Sequence, residues 1–155
     1  MKIKEIHLTD EKSRICDSIL RALPNWFGVE QGIVDCVRDV QSLPFFAAIL
    51  DSGKAIGFAA LKYHNEYTAE VRVMGVLEPY HRRGVGKLLI ERCVSECRRT
   101  GREFLTVKTL DQSRKSMSYD KTRAFYHAMG FRPLEVFPAF WDAGNPCLFM
   151  AMYLG

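Results

Sequence analysis

The segment from Thr68 to Arg99 constrains the fold more than any other. An alternating run, Thr68 to Leu77, reads as a strand. It passes through Pro79 and a basic, glycine-bearing stretch into a helical pattern from Val85 to Arg99, with Val85, Leu88, Leu89, Val94 and Cys97 as its apolar stripe. Gly101 closes that helix. The centre of the chain is therefore a strand, a tight turn and a packed helix, and the other elements must complete the sheet that the strand joins.

Lys2 to Leu8 alternates as a strand should, and Thr9-Asp10 offers a helix cap before the apolar positions Cys16, Ile19, Leu20 and Leu23. Pro24 ends that helix. Val29 to Val40 repeats apolar residues at helical spacing, with Pro44 at the exit. Phe45 to Leu50, the turn Asp51-Ser52-Gly53-Lys54 and Ala55 to Tyr63 read as a hairpin. After the central helix come a strand from Glu103 to Leu110, a polar loop from Asp111 to Ser118, and a helix from Tyr119 to Met129 with Gly130 at its C′ position. Phe131 to Phe137 and Cys147 to Tyr153 read as final strands, joined by a loop holding Pro138, Gly144, Asn145 and Pro146. The order β-α-α-β-β-β-α-β-α-β-β implies a single-domain α/β (α+β) fold, a mixed, mostly antiparallel sheet flanked by helices.

Composition excludes several classes. With 155 residues and 48% hydrophobic content the chain is one ordinary domain rather than two or a disordered tail. Its longest apolar runs fall well short of the roughly 20 residues that span a bilayer, so no membrane association is expected. Met1 to Ile6 alternates charged and apolar residues and lacks an apolar secretory core, which makes the cytoplasm the expected compartment. Five cysteines, an odd number scattered through core segments, are expected as reduced, buried thiols. Cys93 and Cys97 stand four apart on a helix, but no second pair at zinc-site spacing accompanies them, so no metal is expected. A net charge of +4 is too slight to imply nucleic acid by itself. A nucleic-acid site would draw on Arg82, Arg83, Arg98, Arg99 and Arg102.

Part of that charge is gathered in one place. In His81-Arg82-Arg83-Gly84-Val85-Gly86-Lys87 the glycines sit at a helix start, where unsatisfied N–H groups and the positive end of the helix dipole favour an anion. A Walker A loop is excluded, because one residue separates Gly84 from Gly86 and Leu88 follows Lys87. A dinucleotide fingerprint is excluded too, since Leu89 stands where the third glycine belongs. A pyrophosphate cradle and a plain strand-to-helix turn with solvated arginines both remain open on these residues alone.

The whole chain, in element order, resembles the GNAT family of acetyl-CoA-dependent N-acetyltransferases. His81-Arg82-Arg83-Gly84-Val85-Gly86 is similar to the family's (Gln/Arg)-x-x-Gly-x-(Gly/Ala) loop, with His81 where Gln or Arg is usual. Arg123-Ala124-Phe125-Tyr126-His127-Ala128-Met129-Gly130-Phe131 resembles the family's later helix ending in Tyr-x-x-x-Gly-Phe. The resemblance implies acetyl-CoA as co-substrate, with His81, Arg82, Arg83, Gly84, Val85, Gly86 and Lys87 cradling the pyrophosphate. His81 would contribute mainly its backbone N–H. Met74, Gly75 and Val76, on a strand splayed from its neighbour, would pair their backbone with the pantetheine amides. Tyr126 would protonate the departing thiolate. The Asn often found early in this segment has no counterpart between Ser118 and Lys121, and the 111–118 loop is longer than usual.

Acetyl transfer to an amine is chiefly a proton problem. An alkylamine with a pKa of about 10.4 must lose its proton to a base, the thiolate must meet an acid, and the developing oxyanion wants a backbone N–H. Glu70 is the favoured base. It roughly matches the place of the glutamate in the histone-acetylating branch of the family, and it shares a strand face with Arg72, Met74 and Val76. The alternative is a solvent-facing glutamate paired with Arg72 or Lys62. His64, Glu66 and His127 are weaker rivals, His127 being expected at the surface. Trp26 and Phe27 lie between the first two helices and Trp141 before the last strand, and their expected loop positions suit a partly apolar small-molecule or peptide amine. Homodimer contacts or simple lids compete equally for those aromatics. A noncatalytic acyl-CoA-binding or sensor domain is the alternative function.

Overall fold

The computed structural model describes residues 1–155. Seven strands are hydrogen-bonded in the order β1-β2-β3-β4-β5-β7-β6. They are β1 (Lys2–Ile6), β2 (Phe45–Ile49), β3 (Ala55–Tyr63), β4 (Thr68–Val76), β5 (Phe104–Leu110), β6 (Arg132–Asp142) and β7 (Asn145–Tyr153). The helices are α1 (Thr9–Arg21), α2 (Glu30–Asp39), α3 (Val85–Arg99) and α4 (Met117–Met129). The expected element order and mixed α/β class are borne out. No helix is long and apolar enough to cross a membrane. By contact density the chain divides into two compact units, residues 1–62 with 71–96, and residues 63–70 with 97–155.

In the first unit β1 runs antiparallel to β2 from Lys2↔Ile49 to Ile6↔Phe45, and β2 runs antiparallel to β3 with a register shift at Ala48/Ile49. Ile15, Cys16, Ile19 and Leu20 recur on one face of α1 and bury it among Ile33 and Cys36 of α2, Phe45 and Ala47 of β2 and Phe58 of β3. Phe45 and Phe58 stack with centroids 5.1 Å apart. Each of the isoleucine, leucine and phenylalanine side chains among these is worth about 1.5–3 kcal/mol of burial. The expected Thr9-Asp10 cap is not the one used. Leu8 is the N-cap and offers no side-chain bond, so Asp10 and Glu11 in the first turn answer the helix dipole instead.

In the second unit β4 and β5 pair in parallel over Thr68↔Phe104 to Glu70↔Thr106, while β5–β7 and β7–β6 are antiparallel. Ser116 caps α4, its hydroxyl accepting from the Tyr119 N–H, so the helix starts two residues before the expected Tyr119. It ends as expected at Gly130, whose φ of 109° permits the paired bonds Phe131 N–H to Tyr126 O and Gly130 N–H to His127 O.

The largest departure lies at β6. The expected strand Phe131 to Phe137 runs on to Asp142, and β7 begins at Asn145, which reduces the expected loop to a tight turn. Pro138 reads as a breaker, but β6 is the outermost strand, where a missing N–H is tolerated. The register absorbs the difference: Phe137 faces Cys147 and Asp142 faces Asn145, so five steps on β6 oppose two on β7. Trp141 consequently lies in a strand and not in a loop. All five cysteines are free and buried.

Candidate functional site

In the first unit, chemistry gathers where β4 leaves the sheet. The Leu77 N–H donates to the Ile56 carbonyl, so the strand's alternation turns the Val76 carbonyl to the opposite edge. His81 reaches back to that carbonyl, with Nε2 at 2.5 Å. A carbonyl only accepts, which makes Nε2 the protonated ring nitrogen. Trp26, in the turn after α1, meets the same imidazole edge-on with centroids 5.5 Å apart. The His81 backbone N–H donates to Glu78 O at 3.0 Å, closing the short turn Glu78–Tyr80. The His81 amide thus closes the turn while its side chain engages the end of β4.

Beyond His81 the backbone turns sharply. Arg82 adopts a φ of 62° and Gly84 one of 81°. Left-handed residues among right-handed ones turn successive amides into a concavity suited to an anion. A Cβ on Gly84 would meet no atom within 4 Å, so the glycine answers the backbone angle rather than crowding. The first helical bond of α3 runs from Leu88 N–H to Gly84 O, which leaves the amides of Val85, Gly86 and Lys87 ahead of the ladder. Arg82, Arg83 and Lys87 are exposed around them, with Arg83 5.9 Å from the Tyr80 ring centroid and Lys87 3.9 Å from Glu91. Amide donors, a helix N-terminus and three cations are the donor set of a pyrophosphate site. Met74, Gly75 and Val76 lie just upstream in β4, and Gly75 sits where a Cβ would stand 3.1 Å from both Ile19 and Leu23.

Trp26 and Phe27 are half-buried and pack on the core cluster of this unit, so burial accounts for much of what their loop positions left unexplained. Arg72 does not serve Glu70. Its guanidinium donates to Asp39 Oδ2 at 2.9 Å and reaches Cys36 Sγ at 3.7 Å, tying β4 to α2.

In the second unit Glu70 is only 5% exposed. His64 Nε2 lies 2.6 Å and Lys108 Nζ 2.9 Å from the same carboxylate oxygen, Oε1. The expected alternative, a solvent-facing glutamate paired with Arg72 or Lys62, is thereby overturned. A buried carboxylate needs such compensation, and these neighbours supply it. Lys108 Nζ also lies 5.2 Å from the Phe140 centroid and 5.8 Å from that of Phe149. Phe140 packs edge-on to Trp141 at 5.9 Å, and both are exposed. Burial pushes the neighbouring Cys147 thiol up to about 11, against the opposing pull of Lys108. Tyr126 is 8% exposed, with its ring edge-on to Phe131 at 5.5 Å, while His127 is at the surface as expected. Arg98 and Arg102 are bonded into this unit through the carbonyls of Leu154, and of Asn65 and Thr100.

Sequence reasoning missed Lys108. The available signal was a lone charge inside an otherwise half-buried strand pattern. It also ranked His64 as a rival to Glu70, whereas the two are hydrogen-bonded.

The model of the Acetyltransferase (GNAT) domain matches residues 41–133. An uncharacterized N-acetyltransferase from Chlorobaculum tepidum is 28% identical over 105 residues, covering 68% of this chain and 57% of that protein. The match thus spans little more than half of the curated relative's length. A crystal structure assigned to the GNAT acetyltransferases, from Desulfovibrio desulfuricans, superposes with a TM-score of 0.83 at 19% identity over 99% of both chains. A GNAT acetyltransferase from Elizabethkingia anophelis with acetyl-CoA bound gives 0.67 at 17% identity, covering 84% of this chain and 87% of that one. At such identities the structural likeness carries the fold.

Proposed function

Because this chain belongs to the GNAT acetyltransferase family, we propose that residues 1–155 act as one N-acetyltransferase domain, moving the acetyl group of acetyl-CoA to a primary amine by direct attack in a ternary complex. The observation that supports it most is the turn between β4 and α3. Left-handed backbone at Arg82 and Gly84, the α3 amides and three exposed cations stand together in the segment that the family match covers.

Acetyl-CoA would supply an activated acyl group on a good leaving thiolate. Arg82, Arg83, Lys87 and the amides from Gly84 to Lys87 would hold its pyrophosphate, and the β4 backbone at Met74 to Val76 would align its pantetheine arm. Glu70 would take the acceptor's proton, with Lys108 hydrogen-bonded to its carboxylate. A β4 amide would face the charge growing on the carbonyl oxygen, and Tyr126 would give its hydroxyl proton to the thiolate. Positioning supplies much of the remaining acceleration. The acceptor is a small-molecule or peptide amine, and the exposed Phe140 and Trp141 beside Lys108 favour one with apolar surface.

A turnover screen tests this: acetyl-CoA with grouped amines, read as release of free thiol. Turnover with at least one group is expected. Saturable acetyl-CoA binding without turnover on any amine would leave a noncatalytic acyl-CoA-binding module in its place.

A further inference from the structure

Resting on Glu70 as the base, the geometry points to His64 as a positioning residue that carries the acceptor's proton from Glu70 to solvent, with Lys108 as the fixed counter-charge. Acetylating an ammonium removes two N–H protons. The coenzyme's thiol keeps one, and the other must reach water. The Glu70 side chain is only 6% exposed, whereas that of His64 is 33% exposed and bonded to it at 2.6 Å. The imidazole thus spans the step from a buried carboxylate to solvent.

The hairpin end that carries His64 is built to hold it. Asn65 Oδ1 accepts from the N–H groups of Tyr67 at 2.8 Å and Thr68 at 2.9 Å, and the His64 N–H donates to Thr68 O at 2.9 Å. Arg102 donates to Asn65 O at 3.2 Å and lays its guanidinium 4.0 Å from the Tyr63 ring centroid. A loop tip that would ordinarily be mobile is held by the Asn65 side chain, by backbone bonds to Thr68 O and by Arg102.

The titratable groups around the pair come from β5, the turn before it, and β7. Lys108 on β5 holds Oε1, the Cys147 thiol on β7 is kept neutral by burial, and Arg102 stands off behind the Asn65 carbonyl. His64 and Lys108 both bond Oε1 of Glu70, so Oε2 is the oxygen left to the acceptor or to an ordered water. In the step itself the carboxyl turns its protonated oxygen toward the ring, the Nδ1–H tautomer of His64 takes that proton on Nε2, and the imidazolium releases its Nδ1 proton to water, exchange at the exposed ring resetting the tautomer. The carboxylate is restored, and neither residue makes or breaks a bond to carbon.

Two measurements test this on the full chain. Turnover of acetyl-CoA is followed with 2-phenylethylamine, spermidine and a lysine-containing peptide as probes, in wild type, His64→Ala and Glu70→Gln. His64→Ala should lower kcat by about tenfold with KM for acetyl-CoA unchanged, and added imidazole should restore the rate, while Glu70→Gln should gain nothing from imidazole. Nitrogen-15 NMR of the His64 ring supplies a readout that needs no acceptor: its Nε2 resonance should move in Glu70→Gln. A folded His64→Ala enzyme of normal kcat, a deficit that imidazole leaves untouched, or a ring resonance indifferent to Glu70→Gln would each overturn the role of His64. Absence of turnover in wild type on every amine would count instead against the acetyltransferase reading, with the NMR result still deciding whether the pair exists.

Discussion

The imidazole of His81 closes on the Val76 carbonyl at 2.5 Å while Trp26 abuts the same ring at 5.5 Å. A pantetheine amide that takes this carbonyl must displace His81, and the edge-on ring contact with Trp26 changes with it. In Trp141→Phe protein, where Trp26 is the remaining tryptophan, coenzyme A should shift the emission saturably. His81→Ala should show the shifted emission before any coenzyme is added. Titration by fluorescence checks both, and a Trp26 signal insensitive to saturating coenzyme A would place the cofactor elsewhere.

Tyr126→Phe should lower kcat by about tenfold to a hundredfold, with folding stability changed by no more than about 1.5 kcal/mol. The ring contact with Phe131 survives the substitution, so packing and chemistry separate. Urea unfolding alongside steady-state kinetics gives the two numbers. Glu70→Gln should in the same assay reshape the pH–rate profile, which Tyr126→Phe should do only on its alkaline side.

Burial first, then the charges of Cys36 and Asp17, push the Cys16 thiol up from 9.0 to about 12, and burial raises Cys147 to about 11. The unfolded chain sheds these protons near pH 9 and the folded chain keeps them, so unfolding releases protons above that pH. Stability is therefore whole below pH 9 and falls as pH rises toward 11 and 12. Denaturant midpoints measured from pH 8 to 11 should decline, and Cys16→Ala should flatten part of the slope. The same burial predicts that a thiol reagent at pH 8 reacts slowly with native protein and with all five cysteines once urea is added.

Gly84→Ala isolates backbone geometry from crowding, since its Cβ meets nothing within 4 Å but its φ is 81°. It should cost about 1–2 kcal/mol of stability and weaken coenzyme A binding. Gly75→Ala should also destabilise, for the opposite reason, because Ile19 and Leu23 must give way 3.1 Å from the new carbon. Thermal melts with and without coenzyme A distinguish the two mechanisms.

Local pattern carried the first half of the fold well. The α3 bounds Val85 and Arg99 agree with the structure, because apolar spacing, a preceding turn and a following glycine all point the same way there. It failed at β6, where Pro138 stops a strand by rule but an edge position and a bulge let the strand continue. The site was legible to the degree that it is local. The His81 to Lys87 turn shows itself as contiguous residues, whereas the partners of Glu70 depend on β5 placing Lys108 beside it from 38 positions away. For His81 the motif position implies a backbone role, and the fold adds that its amide closes a turn on Glu78, a contact that no local pattern announces.

The outermost strand, β6, is exposed along nearly its whole length and displays Leu134, Val136, Phe140 and Trp141. Such an edge invites other chains to add themselves as further strands. Pro133 and Pro138 each remove an amide hydrogen from it, and the bulged register after Phe137 breaks its straightness. The strand is therefore a poor template for polymerisation, and the protein can keep greasy side chains on display without paying for them in fibrils.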